Sequence, residues 1–290
     1  MSSGNTPFGS VNIYLDSKFA KVSNSDSNKI FFLNTPIVTP REDIKLLVAM
    51  TSAQLARSWY LIRTGINDVL KYSVDGGGVL SITVAEGNYT VNTFCNAATV
   101  LLKAQSSGRS LTYDKTTNKI TLADTAASSA IQVESGTTCN DEIGAGSVFP
   151  VVGAAVTSGY GVTMPNMANF AGIPNVMVEG RSFGLQNRDS QGAINLTLGK
   201  IPNTVAPLGF LYLPHSAPVY LALTDTSISQ IQIILTDPDG NELDLHGIGW
   251  SMTLTIHFEY VKLLQEYAGQ HGNIIPAPIQ EPEIVEGDTI

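Results

Sequence analysis

Charge is scarce in this 290-residue chain: Lys, Arg, Asp and Glu make up 14% of it, with 16 basic residues against 25 acidic ones and a formal net charge of −9. The surface of a free-standing monomer is ordinarily richer in these residues. Here Ser, Thr and Asn supply the polar cover, and such a surface can be buried against other subunits at little desolvation cost. No run of Lys or Arg occurs, which argues against a sequence-independent grip on nucleic acid, because that grip needs a basic stripe to displace counterions. Only two cysteines are present, Cys95 and Cys139. No disulfide framework is therefore expected, and a reducing compartment is the simpler assumption. No window reaches roughly 18 uninterrupted apolar residues, the length of a membrane-spanning helix. The opening MSSGNTPFGSVNIYLDS has neither a positively charged start nor an apolar stretch of signal-peptide type. A soluble protein made in the cytosol is the expectation.

Catalytic signatures are missing as well. There is no GxSxG elbow, P-loop or dinucleotide fingerprint, and Gly76, Gly77 and Gly78 lack the Lys and Ser/Thr of a phosphate cradle. The histidines His215, His246, His257 and His271 are scattered, with no HxH or HExxH pair to hold a metal on a cupin-like strand. His257 projects from the polar side of its strand, where a solvated or interface histidine is the plainer reading. Cys95 falls on the apolar side of an expected helix as a buried thiol, whereas Cys139 sits in a Gly/Thr loop, could be exposed, and has no basic neighbour to activate it. Asn88 and Asn195 satisfy N-x-S/T, by chance in a chain without a secretory signal. The segment DPDGNELD spaces Asp237, Asp239, Asn241 and Asp244 like a calcium loop, but an EF-hand needs Gly at its sixth position and Glu at its twelfth. Counting from Asp237, Gly240 is fourth and the twelfth is Ile248. The segment reads as a solvated turn whose Asp side chains brace the backbone. No catalytic residue, metal or cofactor is assigned, and no enzyme is expected.

What the sequence does have is alternation. Trp250, Met252, Leu254, Ile256, Phe258 and Tyr260 share one face of a half-buried strand, with Ser251, Thr253, Thr255, His257 and Glu259 on the other. Ile231, Ile233 and Leu235 keep the same period, and Pro238, Asp239, Gly240 and Asn241 supply turn chemistry, so a hairpin is expected. Gly247 and Gly249 then interrupt the returning strand as a bulge or close backbone approach. Other strands are expected at 11–15, 29–33, 44–50, 58–62, 175–179, 193–198, 210–213, 219–223 and 228–235. The triple glycine 76–78 marks a flexible joint. Behind it comes a module with a strand at 79–84, a helix at about 93–104 and a hairpin at 114–118. Phe94, Ala97, Ala98, Leu101 and Leu102 recur at helical spacing, with Gly108 as the stop. Residues 123–165 are Ala/Ser/Gly/Thr-rich, with weak strands at best. Beyond 269 the chain carries prolines and Glu281, Glu283, Glu286 and Asp288 without a Lys or Arg, an extended peptide that orders on a partner.

The fold class is all-β dominated, with turn spacing of a β-sandwich or jelly roll and a small α+β insertion. The expected organisation is 1–74 as the first part of the sandwich, 75–146 as the insertion lobe, 147–268 as the second part and 269–290 as a flexible acidic tail.

IQIILTDPDGNELDLHGIGWSMTLTIHFEY, VAEGNYTVNTF followed by SLTYDKTTNKITL, and NMANFAGIPNVMVEG followed by LGKIP together resemble the penton (minor capsid) proteins of virophages and Polinton-like DNA viruses. The resemblance covers most of the chain. It implies a single jelly roll that assembles as a homopentamer and plugs the fivefold vertices of an icosahedral virion, held there by a double jelly-roll major capsid protein. It implies synthesis in the host cytoplasm, no catalysis and no cofactor. Asp237, Asp239, Gly240, Gly247 and Trp250 would be structural motif residues, and the lobe would project outward from the vertex or cover the upper edge. A closed ring needs heterologous contacts. Chains of −9 each repel at long range, so apolar and hydrogen-bonded contacts would carry it. The alternatives are a carbohydrate- or receptor-binding β-sandwich with a concave face drawn from Trp59, Tyr60, Tyr160 and Tyr212, and a metal-dependent enzyme.

Overall fold

A computed structural model of the chain describes residues 9–156, 158–184, 196–214 and 218–260. The expected acidic tail, Asn195, His215 and His271 lie outside these residues. In chain order the elements are β1 (Ser10–Asp16), β2 (Val22–Ser23), β3 (Asn28–Val38), β4 (Ile44–Ala56), β5 (Val69–Val74), β6 (Leu80–Thr83), α1 (Val91–Gln105), β7 (Arg109–Asp114), β8 (Lys119–Asp124), β9 (Ile131–Val133), α2 (Asn140–Ile143), β10 (Val151–Val152), β11 (Ala154–Ala155), β12 (Tyr160–Thr163), β13 (Asn175–Gly180), β14 (Thr197–Pro202), β15 (Phe210–Leu213), β16 (Leu221–Ala222), β17 (Ser227–Thr236) and β18 (Trp250–Tyr260).

Period-two alternation builds the larger core. One antiparallel sheet has the order β1-β18-β4-β15, with β16 also on β4, and the other runs β14-β13-β17-β3-β2. Each faces the other with its apolar side: Leu46, Val48, Leu254 and Ile256 from the first are buried with Val176, Val178, Ile231 and Ile233 from the second. The chain changes sheet between β1 and β2, β3 and β4, β14 and β15, β16 and β17, and β17 and β18, and once more over the long stretch between β4 and β13. This order matches that of a jelly roll.

The hairpin expected after Leu235 is only begun. Asp237 N donates to the Asn241 carbonyl at 2.9 Å, and Leu243 N to the Leu235 carbonyl at 3.1 Å. The chain then leaves this sheet, buries Leu243 and Leu245 in the core and starts β18 in the opposite sheet, between β1 and β4. Gly247, at φ +76°, thus lies in a crossover, and the register shift of β18 against β4 falls at Thr253/Leu254 instead. Alternation fixes which face is buried and is silent about which strand lies alongside. Residues 58–62 are likewise not a strand. They connect the two cores, with Trp59 buried in the sandwich and Leu61 and Ile62 buried in the second core.

That second core belongs to a lobe with two small sheets, β10-β9-β5-β6 and β11-β12-β8-β7, with α1 against β6 and β7. The helix starts at a reciprocal cap: Thr90 N donates to Thr93 Oγ1 at 2.9 Å, and Thr93 N to Thr90 Oγ1 at 3.3 Å. Its buried stripe is Phe94, Cys95, Ala98 and Leu102, the spacing of an amphipathic helix. It ends at Gln105, ahead of Gly108. A Cβ at Gly108 would stand 2.6 Å from Thr125 Oγ1, so this glycine serves close packing of the following strand. Inside the lobe, Arg109 Nε pairs with buried Asp124 at 2.8 Å, and Arg109 Nη1 donates to the Tyr72 hydroxyl at 2.9 Å.

The triple glycine is a turn within the lobe. Asp75 and Gly76 take positive φ and close the β5–β6 hairpin, and the Asp75 carboxylate accepts the backbone N–H groups of Ser128, Ser129 and Ala130. Leu70 and Tyr72 of β5 are fully buried in the lobe core, which draws residues from Leu61 through Met164. We take 61–170 as the packing unit of the lobe.

Both thiols are buried. Cys139, expected in an exposable loop, is fully covered, and its Sγ donates to the Val69 carbonyl at 3.3 Å. Its Gly/Thr-rich surroundings do form a loop, but Thr137 and Thr138 bond that loop onto β5. Burial pushes the Cys95 thiol up to about 11 and raises Cys139 as well, where Glu142 adds to the effect. A disulfide-exchange reagent at pH 8 should therefore react with neither thiol in the native protein and with both after denaturation; rapid reaction of one thiol in the native state would contradict this packing.

Candidate functional site

The Asp-rich turn is built around one carboxylate. Asp237 is buried and accepts from its own turn: Asp239 N at 3.0 Å, Asn241 N at 2.9 Å and Asn241 Nδ2 at 3.0 Å. From the segment that enters the lobe, Arg63 Nη2 donates to it at 2.7 Å. Gly240, at φ +87°, closes the turn in a conformation that favours glycine. Burial alone would raise the Asp237 carboxyl. The bonds from Asn241 and Arg63 outweigh burial and hold it below its ordinary value. Asp237 is thus a strut between sandwich and lobe, while Asp239 and Asp244 remain exposed. Among the described residues no group of three His, Cys, Asp or Glu is placed to hold a metal ion.

Gly247 and Trp250 form a second anchor, on the N-terminal strands. Gly247 N donates to Asp26 Oδ2 at 2.6 Å, Trp250 N to Ser17 Oγ at 2.8 Å and Trp250 Nε1 to the Asp26 carbonyl at 3.1 Å. The Trp250 ring packs edge-on to Phe31 with centroids 6.0 Å apart. The five motif residues therefore divide: Asp239 and Gly240 shape the turn that holds Asp237, Asp237 alone ties that turn to Arg63, and Gly247 and Trp250 tie the crossover to the start of the chain. Their partners Arg63, Ser17 and Asp26 had no local signal, being about 170 to 230 positions away.

The outer face of the β1-β18-β4-β15 sheet is unusually uncharged. Register places Tyr14, Thr253 and Ser52 in one row and Ser251, Gln54 and Tyr212 in the next. Ser52 Oγ donates to Thr253 Oγ1 at 3.0 Å, and Thr255 Oγ1 to Asn12 Oδ1 at 2.7 Å. Tyr14, Tyr212 and Phe210 are 68, 66 and 64% exposed. Among the described residues of these strands, charged groups stand at the margins, Asp16 with Lys18 at one end and Glu259 opposite Lys45 at the other. Solvent-facing sheet surfaces normally carry charge among their polar residues. The aromatics named for a concave binding face are dispersed: Trp59 lies in the sandwich core, Tyr160 packs on the lobe core, and Tyr212 stands on the outer sheet.

Tyr60 instead borders a cleft of about 540 Å³ between sandwich and lobe. Its ring packs at a tilt of 54° against that of His246, with centroids 4.2 Å apart. Glu142 reaches in from α2 and accepts from the buried Asn67 amide. Burial raises its carboxyl above the ordinary range, more than the Asn67 bond lowers it. Arg57 lines the same cleft and gives Nη1 to the Val205 carbonyl at 2.5 Å, and burial lowers its guanidinium.

The raised Glu142 carboxyl has a stability consequence of definite sign. An acid whose folded value lies above its unfolded value destabilises the fold once pH exceeds the unfolded value, about 4.3 for Glu. Glu142→Gln should therefore raise the thermal midpoint at pH 7, and the gain should fade as pH drops below about 4. A gain that persists in acid, or a loss at pH 7, would show that the charge is not the cause.

No protein-family model matches the chain, and no curated protein matches it in sequence. Among solved structures it is similar to the mavirus penton protein, at 12% identity over 86% of this chain and 99% of that one, with a TM-score of 0.48. It is also similar to a chain in the cryo-EM structure of the Sputnik virophage, at 13% identity over 89% of this chain and 99% of that one, with a TM-score of 0.39.

Proposed function

We propose that this chain is a structural virion protein of penton type, in which a single jelly roll closes five copies around a fivefold vertex of an icosahedral capsid. The observation that carries the reading is the uncharged outer sheet face, where Tyr14, Phe210 and Tyr212 stand exposed over rows of Ser, Thr and Gln. A surface of this kind loses little solvation on burial and makes hydrogen bonds and apolar contacts once dry. The strand order of the sandwich and the penton-like motifs at its C-terminal strands support the same reading.

In this proposal the motif residues Asp237, Asp239, Gly240, Gly247 and Trp250 serve the fold. They hold the crossover between sheets, so that the strand β18 presents its polar side to the neighbouring copy. The lobe points outward from the vertex. The acidic tail and the N-terminal arm reach toward the major capsid protein of the surrounding shell. The protein is made in the host cytoplasm and ends in the virion.

Light scattering on the purified protein tests the ring: five copies of 30.9 kDa give about 154 kDa. Tyr14→Lys with Phe210→Lys should convert the pentamer to monomer while leaving the thermal midpoint of the subunit within a few degrees, since both side chains are exposed. A monomeric native protein, or a ring indifferent to these substitutions, would contradict the assignment of this face. Truncation after Gly269 should leave pentamers intact and weaken incorporation into capsids.

A further inference from the structure

The cleft between sandwich and lobe is a large concavity that the proposed ring does not use. Its walls come from both units, with Tyr60 on the connecting segment, Asp239 and Asn241 on the sandwich turn, and Asn140 and Asn169 on the lobe side. Junctions between packed units are common places for ligand sites, and the volume is in the range such sites occupy.

The polar groups at its rim are not all spent on the fold. The Tyr60 hydroxyl, the Asp239 carboxylate and the Asn169 side-chain N–H groups have no hydrogen-bond partner among the described residues; Asn169 uses only its Oδ1, which accepts from Ala171 N at 3.2 Å. By contrast Asp237, Asn67 and Arg63 are engaged in holding the walls in place. The rim thus offers acceptor, donor and hydroxyl together on a frame that bonds already fix.

Charge decides the ligand class. Asp141, Glu142 and Asp239 repel a polyanion, and the Arg63 guanidinium gives Nη2 to Asp237 while its Nη1 is buried away from the open cleft. The Arg57 guanidinium, which makes no ion pair with a carboxylate among the described residues, disfavours a cation. The many amides and acids disfavour an apolar molecule. A neutral ligand rich in hydroxyls, each donor and acceptor at once, matches what remains. We propose that this cleft binds a neutral saccharide, the terminal sugar of a glycan, through Tyr60, Asn169 and Asp239.

Saturation-transfer NMR on the full-length protein tests this, with methyl glycosides of glucose, galactose and mannose, N-acetylglucosamine and, as an acidic control, sialyllactose. At least one neutral sugar should receive saturation, and its affinity should fall about tenfold or more in Tyr60→Phe with Asn169→Ala, as expected when hydrogen bonds to a ligand are removed. Both substitutions spare the buried frame, and Tyr60→Phe alone, which removes a single oxygen, serves if the double variant is unstable. No saturation of any neutral sugar, binding undiminished in the variants, or binding of sialyllactose alone would overturn the proposal. Light scattering on the same samples reads the ring separately.

Discussion

The ion pair between Arg63 and Asp237 joins two of the places where the chain passes from one sheet or packing unit to another. Asp237 stands where β17 ends and the chain crosses to the opposite sheet; Arg63 stands where the chain leaves the sandwich for the lobe. The carboxylate is almost fully buried and the guanidinium nearly so. Taking both charges out of water is costly, and their attraction recovers that cost only with good geometry and further bonds. Those bonds come from the turn itself, through Asp239 N, Asn241 N and Asn241 Nδ2. One Arg63 nitrogen, Nη1, is buried without a partner among the described residues. The pair therefore serves less to add stability than to specify one relation between sandwich and lobe. Because the folded Asp237 carboxyl lies below its unfolded value, its contribution is present above about pH 4 and is lost as pH falls through the folded value.

From that fixed relation two surfaces follow. Once the crossover places β18 between β1 and β4, its Ser and Thr residues align with Tyr14, Ser52, Gln54 and Tyr212 into one uncharged face. Once the lobe is set against the turn, Tyr60, Asp239 and Asn169 border a common cleft. The first surface suits a neighbouring protein copy and the second a small polar ligand.

Much of this was legible in residue order, for physical reasons that can be named. Burial of one face writes itself as period two, so 250–260 and 228–235 read as strands, and a helix with a buried stripe reads from Phe94, Ala98 and Leu102. Pairing leaves no comparable mark. That β17 and β18 belong to different sheets depends on Leu243 and Leu245 entering the core, which sequence cannot distinguish from a returning strand. The strand expected at 58–62 failed because Trp59 and Leu61 are buried in two separate cores, which imitates alternation. The glycines 76–78 gave a turn, and only the placement of β5 showed it to lie inside the lobe. Arg63, Ser17 and Asp26 were invisible because a long-range partner has no local signature. Cys139 looked accessible by composition and is covered because threonines pin its loop to β5.

A double-mutant cycle on Arg63 and Asp237 measures the joint most directly. Urea unfolding of the wild type, Arg63→Ala, Asp237→Ala and the double variant would each give a free energy. Each single substitution strands a buried charge and should cost about 3 to 5 kcal/mol. The double variant should cost less than the two together, leaving a coupling of about 2 kcal/mol or more. Additive losses, within about 0.5 kcal/mol, would mean that the two residues act independently and that something else fixes the lobe on the sandwich.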